Sequence, residues 1–179
     1  MNSTVLPASV QPNIDCNYIG LDVHSDNVVV CVRRNILKVG GELQGKTIKL
    51  KKVSICDSQD SLTQLLSEYA DGQQHVMTAE STFNWYWLAD IAEEHGWNFR
   101  LADPCTVSQA NIKAANDETD AQYLAERLRM GSLKSTTVLP RALRGARDLT
   151  RHRMRVMQEV SEKKIRLSNL YHNHCAHPL

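Results

Sequence analysis

The first third of the chain alternates short apolar runs with polar turn formers. Residues 18–24 form one such run, and residues 28–32 form the next after a polar break at 25–27. Runs of β-branched and aromatic residues bounded by turn formers predict the two strands of a hairpin. Residues 47–55 follow a glycine-rich turn and continue the pattern as a third strand.

The following part of the chain alternates helical and strand patterns. Apolar residues at helical spacing predict helices over 58–70, 84–95, 107–115 and 117–130, and short β-rich runs predict strands over 75–80 and 97–102. Three strands followed by alternating helices and strands indicate an α/β protein with a mixed sheet flanked by helices. This order of elements is that of the ribonuclease-H-like fold.

A long helix is predicted after Pro140. We expect a disordered leader over 1–16, an α/β domain over 17–140 and a long basic helix within 141–179, its pattern extending over 143–171. Apolar residues on a spacing of four and three predict a coiled-coil-like surface, in which Arg153 and Lys163 interrupt the apolar seam. These apolar positions are Leu149, Val156, Val160, Leu167 and Leu170.

The long helix is also rich in basic residues. Residues 141–166 contain nine Lys or Arg and three acidic residues. A basic stripe along a helix is typical of nucleic-acid binding, although a solvated helical face would have the same composition. The residues that we expect to contact phosphate, at steps of three and four, are Arg144, Arg147, Arg151 and Arg155.

Composition narrows the class of protein. The net charge of +1 over 179 residues gives no global attraction to nucleic acid, so any such affinity must come from local patches. No apolar run approaches the roughly 20 residues that cross a membrane, and the N-terminus has no secretory signal pattern. Five scattered cysteines without a Cys-x-x-Cys pair indicate a reducing compartment. We therefore expect a cytoplasmic protein that does not bind membranes.

Four acidic residues could share one metal site. Asp22 lies inside the first strand and Glu80 ends the fourth, while Asp117 and Asp120 are three residues apart at a helix start and share one face. Carboxylates are hard oxygen ligands, which favour magnesium or manganese over zinc. Two such ions can activate an attacking water or hydroxyl and stabilise the leaving oxygen of a phosphodiester.

The same acids have simpler explanations. Acidic residues in the first turn of a helix complement its dipole, which would account for Asp117, Asp120 and the adjacent Glu118. Asp22 could cap the turn after its strand. His24 could orient a water or contact phosphate, or be polar surface. Spacing alone leaves these alternatives open.

Three motifs resemble one family. Residues 18–24 (Tyr-Ile-Gly-Leu-Asp-Val-His), 79–88 (a Glu followed by small residues and aromatics) and 117–121 (Asp-Glu-Thr-Asp-Ala) are similar to the motifs of RuvC-like DEDD transposases of bacterial insertion sequences. This family includes the Piv DNA invertases and the bridge-RNA-guided recombinases. Residues 138–140 and the arginine-rich helix after them also match, so the resemblance covers about residues 17–172.

The resemblance implies a function. Asp22, Glu80, Asp117 and Asp120 would be the DEDD site, with magnesium or manganese as cofactor, and the activity would be metal-dependent DNA strand cleavage and transfer. The partners would be DNA, a structured guide RNA and further copies of the chain, paired through the long helix. Family members continue into a second domain with a nucleophilic serine, which we expect to be absent here. The alternative is therefore a nucleic-acid-binding and dimerisation module that is catalytically inactive without that domain.

Overall fold

Six strands and four helices make up the part of the chain that the structure describes. The structure, a computed structural model, describes residues 16–54, 59–70, 74–81, 84–104 and 117–175. The strands are β1 (Asn17–Val23), β2 (Asn27–Leu37), β3 (Leu43–Ser54), β4 (His75–Glu80), β5 (Phe99–Ala102) and β6 (Ser135–Thr136). The helices are α1 (Gln59–Ala70), α2 (Tyr86–Glu94), α3 (Asp117–Arg129) and α4 (Arg141–His174).

The six strands form one mixed sheet in the order β3-β2-β1-β4-β5-β6. β1 pairs antiparallel with β2 and parallel with β4, and β4 pairs parallel with β5. The antiparallel meander β1-β2-β3 and the crossovers through α1 and α2 are the arrangement predicted from the order of sequence patterns. The predicted fold class, a ribonuclease-H-like mixed sheet flanked by helices and followed by a long helix, is confirmed.

Both faces of the sheet are covered, which explains why its central strands are almost continuously apolar. Ile19, Leu21 and Val30 point to the face that packs against α1 and α2. Val29 and Cys31 point to the other face and contact α3. Because neighbouring residues of a strand alternate between faces, the residues at even positions of β1, from Tyr18 to Asp22, lie on the side of α3.

Gly20 allows α3 to lie directly on β1. A Cβ at this position would lie 2.6 Å from the backbone nitrogen of Ala125 and closer still to the carbonyl oxygen of Ala121. No side chain fits in that space, so the glycine sets the distance between helix and sheet. This contact fixes where the first turn of α3 stands relative to the end of β1.

The hairpin β2-β3 is longer than predicted. The half of the hairpin next to its turn lies outside the predicted strands of 28–32 and 47–55. Its polar side chains have partners in the fold. Arg33 Nε lies 3.0 Å from a carboxylate oxygen of Glu126, and Arg34 donates a hydrogen bond of 2.9 Å to the side chain of Asn17. The ion pair and the hydrogen bond offset the cost of partly burying these two side chains. The apolar pattern alone cannot predict such contacts. β5, in contrast, is shorter than the predicted 97–102.

The structure divides into two compact units between Val138 and Leu139. The second unit is dominated by α4, a single helix of 34 residues that begins after Pro140. The apolar seam predicted on it, including Leu149, Val156 and Val160, is exposed. Among the described residues, no helix combines the length and apolar character that a membrane span requires. The predicted leader, apart from Cys16, and the predicted helix 107–115 lie outside the described residues.

Candidate metal centre

Two parallel strands bring Asp22 and Glu80 to the same edge of the sheet. Leu21 is the register partner of Ala79 in the pairing of β1 with β4. Asp22 and Glu80 come next in each strand, so their side chains leave the sheet side by side and on the same face. That face is the one covered by α3, because Gly20, two residues before Asp22, contacts that helix.

The N-terminal turn of α3 places two further carboxylates at this edge. Asp117 and Asp120 lie in the first turn, directly before Ala121, the residue that lies against Gly20. Since Gly20 and Asp22 are two residues apart in a strand, one helical turn back from Ala121 carries α3 to the level of Asp22. The fold therefore brings acids from β1, β4 and α3 to one region.

Short contacts join two of these acids, Asp22 and Asp117, to two basic side chains. The Nε2 atom of His24 lies 2.9 Å from Oδ2 of Asp22 and 3.5 Å from Oδ1 of Asp117. On its other oxygen, Asp117 accepts a hydrogen bond of 3.3 Å from Nζ of Lys52. Single donor atoms of Asp22, His24 and Asp117 all lie within 4.8 Å of one another, a spacing that could hold a metal ion.

Burial and like charge disfavour the ionised acids at the strand ends. Burial raises the pKa of Asp22, as do the nearby carboxylates of Asp120 and Asp117, while His24 opposes the change. Burial also raises the pKa of Glu80, with further contributions from Asp22 and Asp120. The site is thus an accumulation of negative charge that these bases only partly balance.

Asp117 differs from Asp22 and Glu80 in its surroundings. The hydrogen bond from Lys52 lowers its pKa, and His24 acts in the same direction. Its side chain is 43% exposed, whereas that of Asp22 is 16% exposed. The site therefore has a buried side, formed by the strand ends, and an open side at the start of α3.

The four predicted acids do not all meet at bonding distance. Asp22 and Asp117 belong to the tight group with His24, whereas Glu80 and Asp120 lie outside it but interact electrostatically with Asp22. Sequence reasoning assigned no site role to Lys52. The strand register would have indicated its position. Asp22 pairs with Val29 and Val29 pairs with Lys52, so Asp22 and Lys52 lie in one row on the same face of the sheet.

The predicted phosphate-binding arginines lie on α4 and differ in their surroundings. Arg144 is buried, and its Nε donates a hydrogen bond of 3.0 Å to the carbonyl oxygen of Leu139. Arg147 lies 3.9 Å from a carboxylate oxygen of Asp148. Arg151 and Arg155 are exposed. Their role in binding nucleic acid stays a prediction.

The fold and its family together define the class of protein. A sheet of this order, with acids gathered at the ends of its parallel strands, is the architecture of the ribonuclease-H-like class. A family model described as a transposase, of the DEDD type found in IS110 elements, matches residues 19–175. The chain belongs to this family of transposases, as the three motifs indicated.

Other comparisons give a more distant likeness. The solved structures similar to the chain include RuvC of Thermus thermophilus and RuvC from the same organism in complex with a Holliday junction substrate. Each has a TM-score of 0.47 and 14% sequence identity, and the alignment covers 66% of this chain and 98% of the RuvC chain. No curated protein is significantly similar in sequence.

Proposed function

We propose that residues 17–140 are the catalytic domain of a DNA transposase that cleaves and transfers DNA strands with a divalent metal. The observation that carries the proposal is the convergence of Asp22, Glu80, Asp117 and Asp120 from three separate elements at one sheet edge. Helix-dipole compensation explains acids at the start of α3, but it does not explain why two partly buried acids lie at the neighbouring strand ends.

The residues present fit magnesium or manganese. Four carboxylates provide hard oxygen ligands. Burial, and after it the repulsion between neighbouring carboxylates, raises the pKa of Asp22 and Glu80, and a bound cation would favour their ionised forms. When bound, the ion supplies activation of a water or hydroxyl nucleophile and stabilisation of the leaving oxygen of a phosphodiester.

The side chains of this domain have distinct tasks in the proposal. Asp22 and Glu80, fixed by paired strands, would bind the ion on the buried side of the site. Asp117 and Asp120 would bind it from the open side, where the scissile phosphate enters. Lys52, which hydrogen-bonds Asp117, would provide a point charge for a phosphate oxygen on that side.

The test is calorimetric titration of magnesium and manganese into wild type and Asp22→Asn, with and without a short structured nucleic acid. We expect metal binding and any DNA cleavage to be lost in the variant, with nucleic-acid binding intact. Glu118→Gln is the matched control, since Glu118 is an exposed acid in the same turn of α3 and should leave metal binding unchanged. Equal metal binding by wild type and Asp22→Asn would refute the proposed site.

A second candidate function concerns α4. Its basic residues and exposed apolar seam favour a module over 141–179 that binds nucleic acid and pairs with another copy of the chain. In this reading the chain binds DNA or RNA but does not cleave DNA unaided, and Asp22→Asn is without effect.

The same proposal includes two further points. A structured RNA guides the protein, and the protein is located in the cytoplasm of a bacterium. Their support is the family: its RNA-guided members make a structured RNA a plausible partner, and a transposase must reach the DNA. Competition between a structured RNA and a duplex DNA for the protein, measured by fluorescence anisotropy, tests the first point. Equal affinity for the structured RNA and for unstructured RNA of the same length would contradict guidance by a structured RNA.

A further inference from the structure

His24 belongs to the group of close donor atoms with Asp22 and Asp117, whereas Glu80 and Asp120 lie outside it. We propose that the imidazole of His24 is itself a ligand, and that it makes the site select manganese over magnesium. The inference rests on the proposed metal site and adds a nitrogen donor to its four carboxylates.

The position of the Nε2 atom supports coordination. It faces both Asp22 and Asp117, at 2.9 Å and 3.5 Å. Two ligand atoms that each lie about 2.1 Å from an ion are about 3.0 Å apart at a right angle and about 3.4 Å apart at a tetrahedral angle. The Nε2 atom therefore already lies at the separation of a neighbouring ligand from one oxygen of Asp22 and one oxygen of Asp117.

The backbone holds His24 in place. Its N–H donates a hydrogen bond of 2.9 Å to the carbonyl oxygen of Asn27, which closes the turn between β1 and β2. Asp22 lies two residues earlier, in a strand paired on both sides. His24 directly follows β1 and lies only two residues after Asp22, so the separation of the imidazole and the carboxylate depends little on distant parts of the protein.

The chemistry of the donor explains the expected selectivity. Magnesium strongly prefers oxygen ligands and retains water, whereas divalent transition ions accept imidazole nitrogen readily. A site with oxygens alone has little basis for distinguishing magnesium from manganese. When the His24 nitrogen takes the place of one oxygen ligand, the site should bind manganese more tightly than magnesium.

The experiment uses manganese as both ligand and probe. Pulsed electron paramagnetic resonance of manganese bound to the full chain reports directly whether a nitrogen nucleus is coordinated. Calorimetry on the same samples gives the ratio of magnesium to manganese dissociation constants. The variants are His24→Ala, His24→Asn, which keeps a side chain able to hydrogen-bond Asp22, and His152→Ala, which removes an exposed histidine of α4 as a matched control.

We expect nitrogen coupling in wild type and in His152→Ala, and none in either His24 variant. Losing one ligand should weaken manganese binding about tenfold or more, with magnesium binding changed by less than about threefold. Manganese bound at the Asp22-dependent site without nitrogen coupling would overturn the inference and leave the proposed metal site standing. Coupling that persists in His24→Ala would also overturn it. A wild type that binds no more manganese than Asp22→Asn would refute the metal site itself.

Discussion

At the scale of single residues, Glu126 shows how this fold tolerates charge near its core. Its carboxylate accepts a hydrogen bond of 2.8 Å from Arg129 and lies 3.0 Å from Nε of Arg33. Arg129 also donates a hydrogen bond of 2.8 Å to Asn35. The three charged side chains are mostly buried and tie α3 to β2, the strand next to β1.

We predict that Glu126→Gln destabilises the protein by about 2–3 kcal/mol at pH 7, because it leaves Arg33 and Arg129 close together without an anion. The hydrogen bond from Arg129 lowers the pKa of Glu126 below its ordinary value of 4.5. The stabilisation is therefore fully present above pH 4.5 and is lost as the pH falls through the lowered pKa of the native state. Urea unfolding of wild type and variant between pH 3 and 7 measures it.

The loss should be specific to Glu126. Glu118→Gln, an exposed acid on the same helix, should change the free energy of unfolding by less than about 0.5 kcal/mol. A difference between wild type and Glu126→Gln that grows as the pH falls toward 3 would contradict the assigned ion pairs.

The positions of some residues of the candidate site could be predicted from the sequence. Asp22 and Glu80 could be placed from sequence because strand ends in a parallel pair meet at one edge. His24 and Lys52 could not be assigned firmly, because their contacts depend on the register of three strands and on the height of α3 above them. The register and the position of α3 depend on long-range packing, which residue type and local spacing do not determine.

At the scale of elements, the packing of α3 on β1 decides whether the acids meet. Gly20 lies against the backbone of Ala121 and Ala125, one to two turns after Asp117. Any side chain at position 20 must push the helix away from the sheet. The same displacement would move Asp117 and Asp120 away from Asp22.

We predict that Gly20→Ala destabilises the protein by about 1–3 kcal/mol, as overpacking of a close contact does, and weakens metal binding more than tenfold. Thermal unfolding and calorimetry measure the two effects. Gly145→Ala is the matched control, because a Cβ there meets nothing within 4 Å and alanine favours the helix, so stability should rise by up to about 1 kcal/mol. Unchanged metal affinity in a folded Gly20→Ala protein would show that α3 does not set the site.

Elements were easier to predict than their lengths. Apolar alternation identified the hairpin, and the predicted helix 84–95 ends directly before Gly96, whose φ of 68° is one that glycine commonly adopts after a helix. The halves of β2 and β3 next to their connecting turn were missed because Arg33, Arg34 and Lys46 interrupt the apolar pattern. Their ion pairs and backbone register, rather than side-chain hydrophobicity, maintain those parts of the strands.

At the scale of the whole molecule, the near-zero net charge conceals an uneven distribution. Nine basic residues lie within 141–166, while acids gather at the ends of β1 and β4 and at the start of α3. A polyanion would be repelled by the acids without a metal and attracted by the basic helix. Nucleic-acid binding and metal binding should therefore depend on different residues.

We predict that the double variant Arg151→Glu/Arg155→Glu weakens binding of a short DNA duplex more than tenfold and leaves metal binding intact. Each phosphate contact contributes about 0.9 to the slope of log affinity against log salt, so the slope should fall by about 2. Fluorescence anisotropy from 50 to 300 mM salt measures it. Lys38→Glu/Lys134→Glu changes the net charge equally at exposed positions outside α4 and is the control. If both double variants lose affinity equally, net charge rather than the basic helix governs binding; if only the arginine variant does, α4 is the nucleic-acid interface.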